Sequence, residues 1–321
     1  MPTFFMYQVF AGFCLLNLIL PTNAQNWPSK PVRIIVPLTT GSSSDILARA
    51  VAGKLSTQLG QNFLVENRAG AAGIIGTNAV AKSDPDGHTI LVHTSSFTIT
   101  PFTNANLPFD TEKEFRGITP IGFTPLVMIM SPTKGYKNIQ EVVQAAKSKP
   151  NSISYASAGN AGQLNSERFR LSAGFEGIHV PFKGTPEAIT EVIAGRVDYF
   201  FGPITAAIPH IREGRLIALA NGSSRRSIML PNVATTVELG YGNSDYNFWI
   251  GMFVPFKTSN AIVARLHEEV IKALQDKDII ERLTKLGAEP MNLSPSQFDK
   301  MLKEEFSSNA IAAKAAGMIP N

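Results

Sequence analysis

The chain has 321 residues, 44% hydrophobic and 17% charged, with 29 Lys and Arg against 25 Asp and Glu for a formal charge of +4. This composition excludes a disordered or collagen-like chain, and at about 150 residues per domain it predicts two domains. Arg225-Arg226 is the only adjacent basic pair, so no positive stripe tracks a phosphate backbone and no nucleic-acid partner is expected.

Residues 1–24 contain no Lys, Arg, Asp or Glu, and Val9 to Leu20 is a 12-residue, mostly apolar run. A bilayer span needs about 20 residues, so the run is predicted to be a signal-peptide core with a cut after Ala24. The mature chain would begin at Gln25 and be exported. Cys14, the sole cysteine, lies inside this run and follows Phe13 rather than the small residue a lipoprotein site requires. Disulfides, a thiolate nucleophile and cysteine metal sites are thereby excluded from the mature chain. No later segment carries 18 uncharged apolar residues.

Val32 to Val36 is predicted as a strand stopped by Pro37, and Ile46 to Leu59 as a helix with Leu47, Val51, Leu55 and Leu59 on one face. Phe63 to Glu66 (strand), Ile74 to Lys82 (helix), a turn at Asp84 to Gly87 and Thr89 to Val92 (strand) follow. A second unit begins near Val127, with a helix over Ile139 to Ser148 and a strand over Ile153 to Ser157. Strands His179 to Phe182 and Val197 to Phe201 flank a helix with Thr185 as N-cap, Pro186 first and Gly195 beyond its end. Leu216 to Ala220 adds a strand, and the C-terminal part is helical: Ile262 to Leu274, Ile279 to Leu286, and a helix opened by the capping box Ser294 to Gln297. Alternating strands and helices predict an α/β fold with parallel sheets. A strand, Gly/Ser loop and helix recur at a spacing of roughly 120 residues, which suggests two similar lobes facing each other.

Two loops carry the candidate chemistry. In Thr39-Thr40-Gly41-Ser42-Ser43-Ser44-Asp45, small side chains admit a ligand to the backbone, and the following helix offers unpaired N–H groups to an anion. Read alone, it is equally an ordinary loop with Ser44 or Asp45 as N-cap. No Gly-Lys-Ser/Thr follows, so the anion would be a carboxylate or smaller. Ser157-Ala158-Gly159-Asn160-Ala161-Gly162-Gln163 is the equivalent loop of the second half, and ligands of open α/β sheets bind at strand carboxyl ends. Gly70, Gly73 and Gly76 have the wrong spacing for a dinucleotide fingerprint and predict a tight turn with close helix packing. Catalytic patterns are weak: Gly41 to Asp45 fails G-x-S-x-G, the five histidines are isolated, and Glu268-Glu269 and Glu304-Glu305 fit solvated helix faces. No metal site, cofactor or catalytic residue is assigned. An exported serine hydrolase using Ser42 to Ser44 is the rival reading, and it requires a histidine beside one of these hydroxyls.

Trp27-Pro28-Ser29-Lys30-Pro31-Val32-Arg33-Ile34-Ile35-Val36-Pro37 resembles the mature N-terminus of tripartite tricarboxylate transporter substrate-binding receptors, the Bug family. Val65 to Gly73, Ile75-Gly76-Thr77, Pro85 to Thr89, Tyr155 to Asn160, Val180 to Gly184 and Leu286 to Pro290 match in the family's order along the whole mature chain. The resemblance implies a two-lobed periplasmic binding protein-like fold, each lobe a mainly parallel sheet flanked by helices, with the ligand cleft between them. It implies a discontinuous first lobe (25–124 and 246–321), a second lobe (125–245), and crossing strands at Leu126 to Met130 and Asn247 to Phe253. The function implied is capture of a small organic carboxylate and its delivery to one large and one small integral membrane subunit; a membrane sensor is the alternative partner. A monomer is expected. By position, Thr39 to Asp45 and Ser157 to Gln163 would form the two walls, with Ser95 and Ser96 completing the first. Departures from the family pattern are Gly41-Ser42 where two glycines are common, Asn165 where a His is frequent, and Gly202-Pro203 where an acidic residue usually stands. The missing carboxylate at Gly202 is expected to favour an acidic ligand over an amine.

Overall fold

The computed structural model describes residues 27–318; the apolar run Val9 to Leu20 and the cut after Ala24 lie outside them. The chain runs β1 (Val32–Val36), α1 (Ser43–Leu59), β2 (Phe63–Asn67), α2 (Ile74–Ala81), β3 (Thr89–Thr94), α3 (Thr100–Thr103) and β4 (Phe115–Phe123). It continues with β5 (Leu126–Met130), α4 (Ile139–Ser148), β6 (Ser154–Ser157), α5 (Asn160–Ala173), β7 (Ile178–Pro181), α6 (Thr185–Ile193), β8 (Tyr199–Pro203), α7 (Ile204–Arg212) and β9 (Ile217–Asn221). β10 (Trp249–Pro255), α8 (Asn260–Leu274), α9 (Lys277–Lys285) and α10 (Pro295–Ala315) complete it.

Two five-stranded sheets form, in the orders β2-β1-β3-β10-β4 and β7-β6-β8-β5-β9. In each, four strands share one direction and the fourth in spatial order opposes them. The reversed strands, β10 and β5, are those by which the chain passes between lobes, so a mainly parallel sheet in each lobe carries one antiparallel insertion. The recurrence read in the sequence is this shared order, with β1 equivalent to β6 and β3 to β8.

Local chemistry accounts for the boundaries. α1 begins at Ser43, earlier than predicted, because Gly41 turns the chain at φ +80° and lets Ser42 Oγ accept the Asp45 N–H at 3.4 Å. Ser42, rather than Ser44 or Asp45, is therefore the N-cap. α6 is capped by Gly184 rather than Thr185, which is buried at the first helical position without a side-chain cap bond. The capping box at Ser294 and Gln297 forms as expected. β4 gave no strand pattern because it holds Gly117, Pro120 and Gly122. It is an edge strand whose only partner strand is β10, apart from a bridge from Phe123 to Glu289, and there a proline's missing N–H costs little.

The core lies on both faces of each sheet. Ile34, Val36, Leu47, Val51 and Leu55 bury β1 against α1, and Val127, Ile129, Phe200, Ile189 and Ile208 fill the space under α6 and α7. An aromatic cluster of Phe97, Phe115, Trp249, Phe253, Phe298 and Phe306 seats α10 on the first sheet. Gly76 sets the approach of α2: a Cβ there would lie 2.8 Å from both Pro37 Cβ and the Arg68 carbonyl oxygen. Gly76→Ala is expected to cost about 1–3 kcal/mol through this overlap, read as a lower urea midpoint; an unchanged midpoint would refute the close approach.

Two glutamates expected on solvated faces turn inward instead, Glu269 buried and Glu305 half-buried. Glu269 is buried on α8, taking hydrogen bonds from Gln58 (2.9 Å) and Lys272 (3.0 Å). Glu305, on α10, faces inward onto Trp249 and Thr98. Helical periodicity marks a face but does not say which polar groups oppose it.

Candidate functional site

The carboxyl ends of β1 and β3 in the first lobe, and of β6, β7, β8 and β9 in the second, open onto one cleft. Contacts across it show which loops meet. Ser96 Oγ accepts the Ala161 N–H at 3.0 Å, and Asn160 Nδ2 donates to Thr100 Oγ1 (3.1 Å) and Thr103 Oγ1 (3.0 Å). A Cβ on Gly159, which turns at φ +91°, would lie 3.2 Å from Ser96 Oγ; one on Gly184 would lie 1.7 Å from Thr39 Oγ1; one on Gly41 would lie 3.5 Å from Pro186. The lobes are closed on each other, and glycines make the closure possible.

On the first wall, Gly41 N–H donates to Asp45 Oδ2 at 2.9 Å and Arg49 Nε to Asp45 Oδ1 at 2.9 Å. Asp45 thus braces the loop from within its own lobe, and Thr40, exposed, donates to Asn67 Oδ1 at 3.1 Å. Ser42 N–H is bonded to the Thr39 carbonyl oxygen, and Ser42 Oγ lies 3.1 Å from Ser44 Oγ. Among the described residues the Ser43 and Ser44 amides at the start of α1 have no protein acceptor, so they remain as donors at the positive end of the helix.

On the second wall, Asn160 and Gly162 hold the equivalent amides at the start of α5. Ala158 is half-buried beside them, and a Cβ on Gly162 would meet the Phe201 carbonyl oxygen at 3.5 Å. Ser157 Oγ is 2.7 Å from His179 Nε2, and the His179 ring stacks on Tyr155 with centroids 5.2 Å apart. Burial lowers the His179 pKa, which keeps the ring neutral at neutral pH. Asn165 Nδ2 donates to the carbonyl oxygens of Ser244 (2.9 Å) and Gly222 (3.3 Å), tying α5 to the segment that leads back to the first lobe. Gly202 is placed otherwise than its sequence neighbourhood suggested: a Cβ there would lie 2.7 Å from the Phe200 ring, pointing into the core of the second lobe. Its lack of a carboxylate therefore does not open the cleft.

Several buried polar atoms have no partner among the described residues: Thr39 Oγ1, Ser95 Oγ, Asn165 Oδ1, Thr205 Oγ1, Ser223 Oγ and Asn221 Nδ2. Ser95, Thr205 and Ser223 each follow a strand's carboxyl end. Tyr246 N–H donates to the Gly222 carbonyl oxygen at 2.7 Å and its ring sits beside Ser95, which joins these groups into a polar floor of the cleft. Buried polar atoms are normally satisfied, so such a concentration marks a place built for a polar guest. From the Gly159-Asn160 turn a cavity of about 490 Å³ extends outward, lined by Leu38, Ala72, Asn104, His179 and Lys183. Its Ala71 and Ala72 hold φ of 47° and 52°, a strained backbone of the kind that persists at binding sites.

Thr100, Thr103, His179, Gly184, Thr205 and Ser223 were not among the sequence candidates. Val180 to Gly184 stood out as a matching stretch, but nothing local indicated that Gly184 would meet Thr39. The hydrolase reading lacks its geometry: among the described bonds no histidine reaches Ser42 to Ser44. His93 is spent on the Thr94 carbonyl oxygen (3.0 Å) with its pKa lowered by burial to about 4, His179 on Ser157 and His267 on the Leu293 carbonyl oxygen (3.1 Å).

Comparison with known proteins agrees with this fold. Protein BugT of Bordetella pertussis is 32% identical over 293 residues, covering 90% of each chain. A solved structure, R. palustris Rpa4515 with adipate, superposes with a TM-score of 0.89 at 27% identity, covering 92% of this chain and 100% of that one. MatC from Rhodopseudomonas palustris with bound malate gives 0.82 at 28% identity, covering 89% and 99%. A family model described as the tripartite tricarboxylate transporter family receptor matches residues 47–318. With the match covering most of both lobes, the chain belongs to the tripartite tricarboxylate transporter receptor family.

Proposed function

We propose that this chain is a periplasmic receptor that captures a small organic carboxylate by lobe closure and presents it to a large and a small integral membrane subunit. The observation that carries the reading is the pair of helix N-termini, α1 and α5, brought together over a floor of buried, unpartnered polar atoms. Thr39 and Gly41 to Ser44 with Ser95-Ser96 form one grip, Ser157 to Gly162 with Asn165 the other; Thr40 and Asp45 support the first from outside. The first lobe comprises 25–124 and 246–321, the second 125–245, and the receptor acts as a monomer. Relatives solved with adipate and malate support the ligand class.

Each hydrogen bond from an amide to a carboxylate contributes about 1.5–3 kcal/mol net. Four or five, less the ordering cost of closure, support micromolar affinity, near −8 kcal/mol. Closure also creates the surface by which a membrane partner distinguishes loaded from empty receptor, a population shift set by differential affinity. The test is a thermal-shift screen of residues 25–321 against adipate, malate, longer and aromatic acids, amino acids and amides. A saturating acid at a hundred times its dissociation constant adds about 2.7 kcal/mol of stability. No saturable shift with any acid would overturn the reading.

A further inference from the structure

Glu305 takes no part in either grip, yet it stands directly behind one of them. Its Oε1 accepts the Trp249 Nε1–H at 2.7 Å, and its Oε2 lies 2.9 Å from Thr98 Oγ1. Thr98 Oγ1 also lies 2.9 Å from the Ser95 carbonyl oxygen and accepts from Asn309 Nδ2 at 2.9 Å. Ser95 contributes an unpartnered hydroxyl to the cleft floor, and Ser96 makes the bond across the cleft to Ala161.

The Thr98 hydroxyl carries one proton and faces two acceptors. When Glu305 is ionised, the stronger acceptor is the carboxylate, and the Ser95 carbonyl loses its side-chain donor, keeping only the bond of the 3-10 turn. When Glu305 is protonated, Trp249 already occupies Oε1, so the acid proton sits on Oε2 and points at Thr98 Oγ1. Thr98 then accepts from Glu305 and Asn309, and its single proton turns to Ser95. In this neutral arrangement the acid proton, the Thr98 proton and the Asn309 amide all have partners, and the Ser95 carbonyl keeps the Thr98 hydroxyl. An ionised Glu305 also places a negative charge two hydrogen bonds from the Ser95 backbone, behind a site read here as holding a carboxylate.

We propose that Glu305 is a positioning residue that sets the hydrogen bonding and local charge of the Ser95-Ser96 wall, so that capture of an anionic ligand is accompanied by uptake of one proton at this carboxylate. The proposal rests on the receptor reading above. Few charges compete with it: β4, also packed on α10, carries Arg116, which acts on Asp299 of α10 and not on Glu305. β10 contributes Trp249, the 3-10 turn Ser95–Thr98 and α3 carry no ionisable side chain, and the segment before β10 contributes Tyr246, whose pKa burial and Glu305 both raise. α5 brings Arg168, which acts on Tyr246, and on α10 itself Lys303 and Glu304 are exposed. Burial raises the Glu305 pKa from 4.5 to about 7, against the opposing effect of the Trp249 and Thr98 bonds. Because the folded pKa exceeds the unfolded one, the stability this group contributes is complete below about pH 4.5 and is lost as pH rises through about 7.

The test is calorimetric titration of the intact mature chain with adipate and with malate from pH 6 to 8.5, each in two buffers of different ionisation enthalpy. Wild type is expected to lose affinity above pH 7 by up to about tenfold per pH unit and to take up a fraction of a proton that grows toward one as pH rises from 6 to 8.5. Glu305→Gln reproduces the neutral acid, its amide oxygen accepting from Trp249 and its NH₂ donating to Thr98. Its affinity is expected to be independent of pH, with no buffer-dependent heat; its thermal unfolding at pH 6 shows that the variant is folded. A purely structural role for Glu305 would lower affinity equally at every pH. Intact binding with the same pH profile in both proteins overturns the proton coupling and leaves the receptor reading standing. Failure of wild type to bind any acid of the screen removes the receptor reading, and this proposal with it.

Discussion

Replacing Gly184 with Ala is expected to lower carboxylate affinity by about 100-fold or more, while the ligand-free chain unfolds within about 1 kcal/mol of wild type. Gly184 has φ −164°, an extended conformation open to any residue, so alanine brings no backbone strain of its own. The added Cβ would lie 1.7 Å from Thr39 Oγ1, 2.8 Å from Thr39 Cβ and 3.0 Å from Cγ2. Rotating the threonine moves its oxygen but leaves its Cβ in place, so the overlap persists and the lobes must stop short of contact. An open receptor does not meet the overlap at all, which is why affinity should fall without a matching loss of stability. Isothermal titration reads the effect. Thr39→Gly in the Gly184→Ala background removes the facing side chain and is expected to recover part of the affinity, short of wild type by what the Thr39 hydroxyl contributes to the grip. Unimpaired binding by Gly184→Ala would show that the closed arrangement is not the one that holds ligand.

The largest effect on stability is expected from Phe298→Ala, about 3–5 kcal/mol. Phe298 is fully buried on the first turns of α10, edge-on to Trp249 with ring centroids 5.4 Å apart and the same distance from Phe253. The neighbouring strands make room for it: a Cβ on Gly117 of β4 or on Gly251 of β10 would lie 2.7 Å from the ring. The ring fills a notch made by two glycines, and its loss leaves a cavity that backbone atoms cannot fill by rotating. A urea midpoint lowered with unchanged slope would bear this out, and a cost below about 1 kcal/mol would show that α10 is held elsewhere. Because α10 also carries Glu305, a folded Phe298 variant is expected to bind acids less tightly as well.

What could be read from the sequence followed the range over which the physics acts. Elements with their own period and punctuation, such as β1 before Pro37 and α4 over Ile139 to Ser148, were legible to within a residue or two. The two loops that face the cleft were legible because their chemistry is local: small residues leading into a helix N-terminus. β4 was hidden because its tolerance of Pro120 depends on being an edge, a property of the sheet rather than of the strand. The start of α1 depended on the dihedral of Gly41. Contacts across the cleft, such as Asn160 with Thr100 and Gly184 with Thr39, depend on how two lobes meet and leave no periodic trace. Glu305 illustrates the same boundary: its spacing on the helix is that of a solvated residue, and only the facing indole and hydroxyl make it otherwise.

The strand orders have a consequence for how the chain acquires its structure. The second sheet has all five strands once residue 221 is available, whereas the first lacks β10, its link between β3 and β4, until residue 255. During synthesis or translocation the half that emerges first is therefore completed last. In that interval β3 shows an unpaired apolar edge, Ile90-Leu91-Val92, of the kind that templates association between chains. Its pairing with β10 spans about half of the polypeptide, and such long-range closures are slow. The period between the two events is when this protein is most exposed to aggregation.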